Sequence, residues 1–263
     1  MKEGALLAID IGNSTIGLGF YPDAATSSGS VTEKRRLIQV ASAASLERFI
    51  SDFLFNSCRI PKPVIQPLGV AISSVVPELN CRIIKSVKRF SSAPLIITSA
   101  TDTGLSLAVK HPENLGTDRI ANALAGYARI KNPLSVIDLG TATTITVIGN
   151  RSRLLGGAIM PGLDMMIESL ARCTSQLPLV APSSPKSALG RDTKSAIISG
   201  IVNGTAAAIG GIHKGIEKEL DAKLAIILTG GHAGLLSPLL KRKHLLIPDL
   251  IFEGIRLIYN RQN

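Results

Sequence analysis

The chain has 263 residues, enough for one large domain or two smaller ones, and at 45% hydrophobic it can bury a sizeable core. No apolar run is expected to reach the ~20 residues of a membrane span, so a membrane partner is not expected. The 29 basic against 19 acidic residues give a formal charge of +10, but the basic residues lie in short groups and aromatics make up only 3%, so no dedicated nucleic-acid site with stacking platforms is expected.

The N-terminus places Glu3 before its apolar run and Asp10 interrupts that run, a pattern unlike a signal peptide. Cys58, Cys81 and Cys173 are odd in number and lack metal-ligand spacing, so they read as buried free thiols of a cytoplasmic protein. Leu6 to Phe20 reads as a strand, a turn and a second strand, with Asp10-Ile11-Gly12-Asn13-Ser14-Thr15 at the turn. Tyr21 to Ser30 is a loop by its Pro, Asp, Ser and Gly. Leu46, Phe49, Ile50 and Phe53 recur at helical spacing and predict a helix over Ser45 to Phe55. Val64 to Val76 predicts a strand, Pro77 to Phe90 a helix and Pro94 to Thr98 a strand. This alternation predicts a sheet with helices packed on it.

Pro112 closes a strand, and Leu115-Gly116-Thr117-Asp118-Arg119 opens a helix with Thr117 as N-cap. Ala121, Leu124, Ala125 and Ala128 form a small-residue stripe suited to close packing. Asp118 reads in two ways. It is an ordinary helix-start acid, or a functional carboxylate beside an open backbone at Gly116 and a fixed cation at Arg119, neither of which capping requires.

Leu134 to Ile148 repeats the first hairpin about half a chain later, with Asp138 matching Asp10, Gly140 matching Gly12 and Thr143 matching Thr15. Two related halves follow, whose hairpins, facing each other across a cleft, would grip a chain of phosphates. Backbone N–H groups at such a turn can cradle phosphate, and a carboxylate at the strand end can hold a cation. Leu154 to Met160 is a glycine-flanked strand, where backbone approaches a ligand or another strand. Leu163, Met166, Ile167 and Leu170 mark one helix face, with the methionines in the core. Thr174 to Thr193, with Pro178, Pro182 and Pro185, is a long loop, and such loops are often functional. Thr193 caps a helix over Lys194 to Lys214. Ala225 to Thr229 is a buried strand running into Gly230-Gly231, either a floor beneath a base or ribose or a plain strand-to-helix turn. His232 has no partner at catalytic spacing and reads as a surface histidine. Pro248 to Tyr259 is the last helix.

The chain resembles the type III pantothenate kinases, a branch of the acetate and sugar kinase, heat-shock chaperone and actin superfamily. The residues that carry the resemblance are Asp10 to Thr15, Gly116 to Arg119, Asp138 to Thr144 and Gly157 to Gly162, with Ser73 to Pro77 and the Thr193 segment in support. It runs almost end to end. The resemblance implies a duplicated ribonuclease-H-like α/β fold of two domains, taken here as residues 1–115 and 116–263, with the last helix able to pack back on the first. It implies a homodimer that phosphorylates pantothenate to 4'-phosphopantothenate, the first step of coenzyme A biosynthesis, using ATP, magnesium and a monovalent cation, potassium or ammonium.

Residue by residue, the resemblance makes Asp118 the base, with Gly116, Thr117, Arg119 and Thr193 on pantothenate. Asp10, Ile11, Gly12, Asn13, Ser14, Thr15, Ile16 and Gly17 become the phosphate loop, with Asp10 serving the divalent ion. Thr141 would contact ATP and Asp138 would hold the monovalent cation. Three positions depart from the family pattern. Ser14 replaces a threonine and keeps its hydroxyl, Asp192 stands where many members have asparagine, and Val109 stands where many have tyrosine, so one wall of the pocket is built differently. Some family members are described as accessory regulators of transcription. A regulatory or nucleic-acid-associated protein with little turnover is therefore the alternative, although a binding module needs no proton acceptor.

Overall fold

The computed structural model describes residues 4–26, 30–36, 43–58, 68–88, 90–91 and 93–262. In chain order the elements are β1 (Leu6–Ile11), β2 (Thr15–Tyr21), β3 (Val31–Arg36), α1 (Ala43–Asp52), β4 (Gly69–Ser74), α2 (Pro77–Val87), β5 (Leu95–Ile96) and β6 (Ser106–Leu107). They continue with α3 (Thr117–Ile130), β7 (Leu134–Leu139), β8 (Ala142–Gly149), β9 (Arg153–Pro161), α4 (Leu163–Cys173), α5 (Thr193–Leu220), β10 (Ala225–Thr229), α6 (Ala233–Leu236), β11 (Leu245–Leu246) and α7 (Leu250–Gln262). The chain divides into two compact units. One is Met1–Leu105, Lys110–Ala125 and Ile251–Asn263, and the other is Ser106–Val109 and Gly126–Leu250.

In the first unit the sheet order is β3-β2-β1-β4-β5. β1 is its centre, antiparallel to β2 and parallel to β4. A strand covered on both faces reads as a continuous apolar run, and Leu6 to Ile9 are all fully buried. Their side chains alternate: Leu7, Ile9 and Ile11 pack with Phe49, Ile50 and Phe53 of the α1 segment, while Leu6 and Ala8 pack with Phe252, Ile255 and Ile258 of α7.

The second unit repeats this plan. Its sheet order is β11-β10-β7-β8-β9-β6, with β7 antiparallel to β8 and parallel to β10. β7 is the counterpart of β1, β8 of β2 and β10 of β4. The pairing is similar, but the second turn is one residue shorter: Asp10 lies beside Gly17 on one side and Ser73 on the other, whereas Asp138 lies beside Thr144 and Thr229, so Thr143 takes the place of Ile16 and not, as the sequence suggests, that of Thr15. The duplication expected from the two Asp-x-Gly turns is thus present in strand order and pairing, and both units are mixed α/β.

Several expectations are adjusted. β3 falls in a segment given no element, and β5 is a two-residue strand where five residues were predicted. Residues 64–67 of the predicted strand before β4, residues 27–29 of the predicted loop and Arg89 lie outside the described residues. Pro112 opens a short 3-10 turn, Pro112–Asn114, instead of closing a strand. Ala128 is exposed, so the stripe on α3 buries Ala121 and Ala125 but does not run its full length. Met165 is 46% exposed, whereas Met166 packs against the core as expected. Cys81 and Cys173 are exposed and only Cys58 is partly buried, because the two lie on the outward faces of α2 and α4.

The helix predicted over Lys194 to Lys214 runs for 28 residues, Thr193–Leu220, and by length and composition alone is long and apolar enough to cross a membrane. Here one face carries Ile197, Val202 and Ile209 into the core of its unit. The opposite face carries exposed Gly and Ala, among them Ala196, Gly200, Gly204, Ala207 and Gly211.

Candidate active site

In the first unit the predicted residues converge at the carboxyl ends of β1 and β4. Asp10 is the one residue of β1 that is not fully buried, and the turn after Ile11 is closed by Gly12 N–H donating to Thr15 O at 2.9 Å. Ile11 and Ile16 are paired and buried, Gly17 is buried, and Asn13 and Ser14 are exposed at the tip. The turn therefore presents backbone and small polar side chains outward from a rigid apolar base. Val75 N–H donates to Ile11 O at 3.0 Å and brings the chain leaving β4 alongside it.

Thr117 is not the N-cap of α3. It is the first helical residue, and Ile120 N–H donates to Gly116 O at 3.2 Å. The Thr117 hydroxyl instead faces β4: its Oγ1 lies 2.9 Å from Ser73 Oγ, and it donates to Ser74 O at 3.4 Å. The chain Asp10–Ser73–Thr117 thus runs from the first hairpin through strand pairing and a hydroxyl pair to the start of α3, where Asp118 and Arg119 sit.

Gly116 makes room for Asp118, since a Cβ at Gly116 would collide with Asp118 Oδ1. Burial pushes the Asp118 carboxyl above its usual range, opposed by the N–H groups of Arg119 and Asp118 and by the Arg119 charge. Burial likewise pulls the Arg119 guanidinium down, opposed by Asp118, although a guanidinium stays charged in proteins. A partly desolvated carboxylate with raised proton affinity can accept a proton, and the fixed cation beside it can pair with an anion.

In the second unit the Leu139-Gly140-Thr141 turn is gripped from two sides. Gly162 N–H donates to Thr141 O at 3.1 Å, and His232 N–H donates to Leu139 O at 3.0 Å. Any Cβ at Gly162 would collide with the carbonyls of Gly140 and Thr141, so glycine is needed for this approach. Gly230 has φ +94°, and a Cβ there would strike Asp138 Oδ1 and the Leu139 backbone. The Thr-Gly-Gly turn therefore packs directly on Asp138.

His232 corrects the sequence reading. Its Nε2 lies 2.8 Å from Asp164 Oδ2 in the first turn of α4, a partner 68 residues away that the sheet brings back. Asp164 drew no notice in the sequence, because nothing local marks it as a partner of His232.

Thr193 stands apart. It is the first residue of α5, capped not by itself but by Asp192, whose side chain accepts from Ser195 N–H at 3.0 Å in a capping box. Thr193 lines an open cavity of ≈ 610 Å³ with Arg191, Asp192, Ile197 and Gly200, and none of that cavity's lining residues belongs to either hairpin turn. Val109 lies near Gly156, whose φ is +125°.

The family described as type III pantothenate kinase matches residues 6–215. A type III pantothenate kinase of Thermomicrobium roseum is 34% identical over 259 residues, covering 98% of either chain. One from Brevibacillus brevis is 34% identical over 259 residues, covering 97% of this chain and 98% of its own. Among solved structures, a Baf family transcriptional activator from Campylobacter jejuni matches with TM-score 0.56 and 21% identity over 97% of this chain and 98% of its own, a likeness of fold. With both hairpins, the Gly116–Arg119 segment and Gly162 inside the matched range, and relatives above 30% identity along nearly the whole chain, this chain belongs to the type III pantothenate kinase family.

Proposed function

We propose that the chain transfers the γ-phosphoryl group of ATP to the primary hydroxyl of pantothenate, giving 4'-phosphopantothenate, the first step of coenzyme A biosynthesis. The observation that carries this reading is Asp118: a carboxylate with raised proton affinity, at a helix start tied by Thr117 to the β4 end that neighbours Asp10. Phosphoryl transfer asks the protein chiefly for positioning and charge neutralisation, plus a group to accept the hydroxyl proton. Asp118 orients and deprotonates the pantothenate hydroxyl. Arg119 pairs with its carboxylate, where a planar guanidinium fork fits better than an ammonium. Gly116 and Thr117 line that part of the site, and Thr193 supplies a further hydroxyl to pantothenate.

ATP takes the Asp10–Gly17 turn, whose closed backbone and exposed tip suit phosphate oxygens, and contacts Thr141. Among the described residues no group of three His, Cys, Asp or Glu side chains could hold a metal. Magnesium is commonly held by one or two carboxylates together with substrate phosphates. Asp10 fits that role, and magnesium would supply charge neutralisation on the phosphates. Asp138, packed against Gly230 at the second turn, fits the role of ligand to a potassium or ammonium ion.

The enzyme is a homodimer in this reading, supported by the outward face of α5. Ala196, Gly200, Gly204, Ala207 and Gly211 lie exposed there at helical spacing, and Leu189, at 69% exposure, lies just before that helix. The reading places it in the cytoplasm, where ATP and free thiols such as exposed Cys81 and Cys173 are both at home. A regulatory role without turnover leaves the raised proton affinity of Asp118 without a use. The test is ADP formation with ATP and pantothenate, with and without potassium or ammonium. Absence of pantothenate-dependent ADP under every cation condition refutes the reading.

A further inference from the structure

The second hairpin turn is enclosed by a ring of contacts that the proposed mechanism does not use. From Leu139 the ring runs through Gly140 to Thr141, crosses the Thr141 O to Gly162 N hydrogen bond and follows the chain to Asp164. It then crosses the Asp164 to His232 side-chain contact and returns through His232 N to Leu139 O. Two of the three crossings are backbone bonds. The third is the only one made by side chains, and it joins α4 to the segment after β10. The Asp164 carboxylate only accepts, so His232 Nε2 carries the proton and donates. With Nε2 engaged, the ring is fixed relative to the turn. The His232 side chain is 24% exposed and that of Asp164 58% exposed, so the pair sits at the surface edge of the turn instead of beneath it.

We propose that Asp164 and His232 are a positioning pair for the nucleotide: their contact holds the Leu139–Thr141 turn in the conformation that receives ATP. The inference rests on the reading that Thr141 contacts ATP. A core role is a poor account of the pair, because neither side chain is buried and neither belongs to the apolar cluster beneath the turn. A purely local helix-cap role is also a poor account. His232 precedes a helix of only four residues, and its ring makes no cap hydrogen bond there. What the contact does is tie the two segments that hold the turn from opposite sides.

The test uses the intact chain with His232→Ala, His232→Gln, Asp164→Ala and the double variant His232→Ala/Asp164→Ala. Steady-state rates at saturating pantothenate are combined with calorimetric ADP affinity in the absence of pantothenate. The expected result is a rise of about three- to tenfold in KM for ATP and in Kd for ADP in each single alanine variant, with the larger effect on KM than on kcat. His232→Gln, which keeps an N–H donor, recovers most of the affinity. The double variant is no weaker than the weaker single variant, because both remove one contact. Parental ADP affinity in the single alanine variants overturns the proposal. So do independent effects that multiply in the double variant, or a glutamine variant as weak as alanine. Calorimetry separates this proposal from the functional reading. Parent protein that binds ADP but fails to phosphorylate pantothenate defeats that reading alone, whereas normal turnover with unchanged ADP affinity in the single alanine variants defeats the positioning pair. Should one alanine variant not fold, the other alanine variant and His232→Gln carry the same comparison.

Discussion

Ser73 Oγ and Thr117 Oγ1 lie 2.9 Å apart, both buried, across 44 residues of chain. Ser73, next to last in β4, lies beside Asp10, and Thr117 starts the helix that carries Asp118. Together with the Thr117 hydroxyl to Ser74 O and Val75 N–H to Ile11 O bonds, this contact links the start of α3 to the phosphate turn within the first unit. Thr117→Val keeps the shape and removes the hydroxyl, leaving Ser73 buried without that partner. The expected outcome is a loss of about 1–3 kcal/mol of stability, the cost of an orphaned buried polar group. Turnover falls as well, because α3 loses its anchor to β4. Chemical denaturation of the variant, and of Ser73→Ala/Thr117→Val, checks it: the double variant should be closer to the parent than the sum of the single losses.

Asp118→Asn preserves size and removes the proton acceptor. Turnover should drop by roughly 10²-fold or more, the usual scale for lost acid–base assistance, with ADP affinity kept. The pH profile adds a sharper check. Burial raises the Asp118 pKa, and only the ionised form accepts a proton, so kcat/KM should fall as pH is lowered through a value above the ordinary carboxylate range. That acid limb should vanish in the asparagine variant. A profile with its limb unchanged in Asp118→Asn assigns the titration to another group.

Glu217 gives a prediction about stability. Its carboxylate accepts from Arg242 at 2.7 and 3.0 Å and from Leu224 N–H at 3.0 Å, tying the end of α5 to the approach to β10 and to the segment after α6. The Arg242 hydrogen bonds, helped by Leu224, hold its pKa down at about 2. The sign follows from this depression. The folded state binds the proton less readily than the unfolded chain, so the contribution is fully present above the ordinary glutamate pKa. It is lost as pH falls from about 4.5 towards about 2. Glu217→Gln should flatten the stability curve across that window. At neutral pH it should destabilise by about 1–3 kcal/mol, less than a fully buried pair, because the Arg242 side chain is 40% exposed. Urea denaturation of parent and variant across that window measures both effects.

Local signals in the sequence were enough for the parts of the fold built from contiguous apolar runs. Both hairpins were legible because Asp and Gly punctuate runs of β-branched and aliphatic residues, and their twofold occurrence foretold the repeated β1/β2/β4 and β7/β8/β10 arrangement. β3 was not legible, because Val31-Thr32-Glu33-Lys34-Arg35-Arg36 is mostly charged, as an edge strand that must resist pairing often is. The cap of α5 was misplaced by one residue because Asp192 and Thr193 are both competent caps, and only the Ser195 bond decides between them. The long-range cross-braces leave no local trace. Ser73–Thr117, Asp164–His232 and Glu217–Arg242 join residues 44, 68 and 25 apart, and Arg242 reads in sequence as one member of a solvated basic group.

The last prediction concerns Asp138. It occupies in β7 the place Asp10 holds in β1, yet its surroundings differ: Ser73 beside Asp10 bonds to Thr117, whereas Thr229 beside Asp138 donates to Pro248 O at 3.1 Å. The Gly230 backbone, at φ +94°, packs against the Asp138 carboxylate. We assign the monovalent cation to Asp138 and the divalent ion to Asp10, so the two carboxylates should separate experimentally. Asp138→Asn keeps size and removes charge. It should weaken activation by potassium or ammonium and raise KM for ATP, while the magnesium requirement stays. Gly230→Ala reaches the same carboxylate by a different route. The positive φ costs about 1–2 kcal/mol with a Cβ, and that Cβ drives into Asp138 Oδ1, so stability and potassium activation should fall together. The measurement is rate against potassium concentration at saturating magnesium for parent and both variants. An asparagine variant with the parent's potassium curve, or a parent indifferent to potassium and ammonium alike, removes the cation from Asp138.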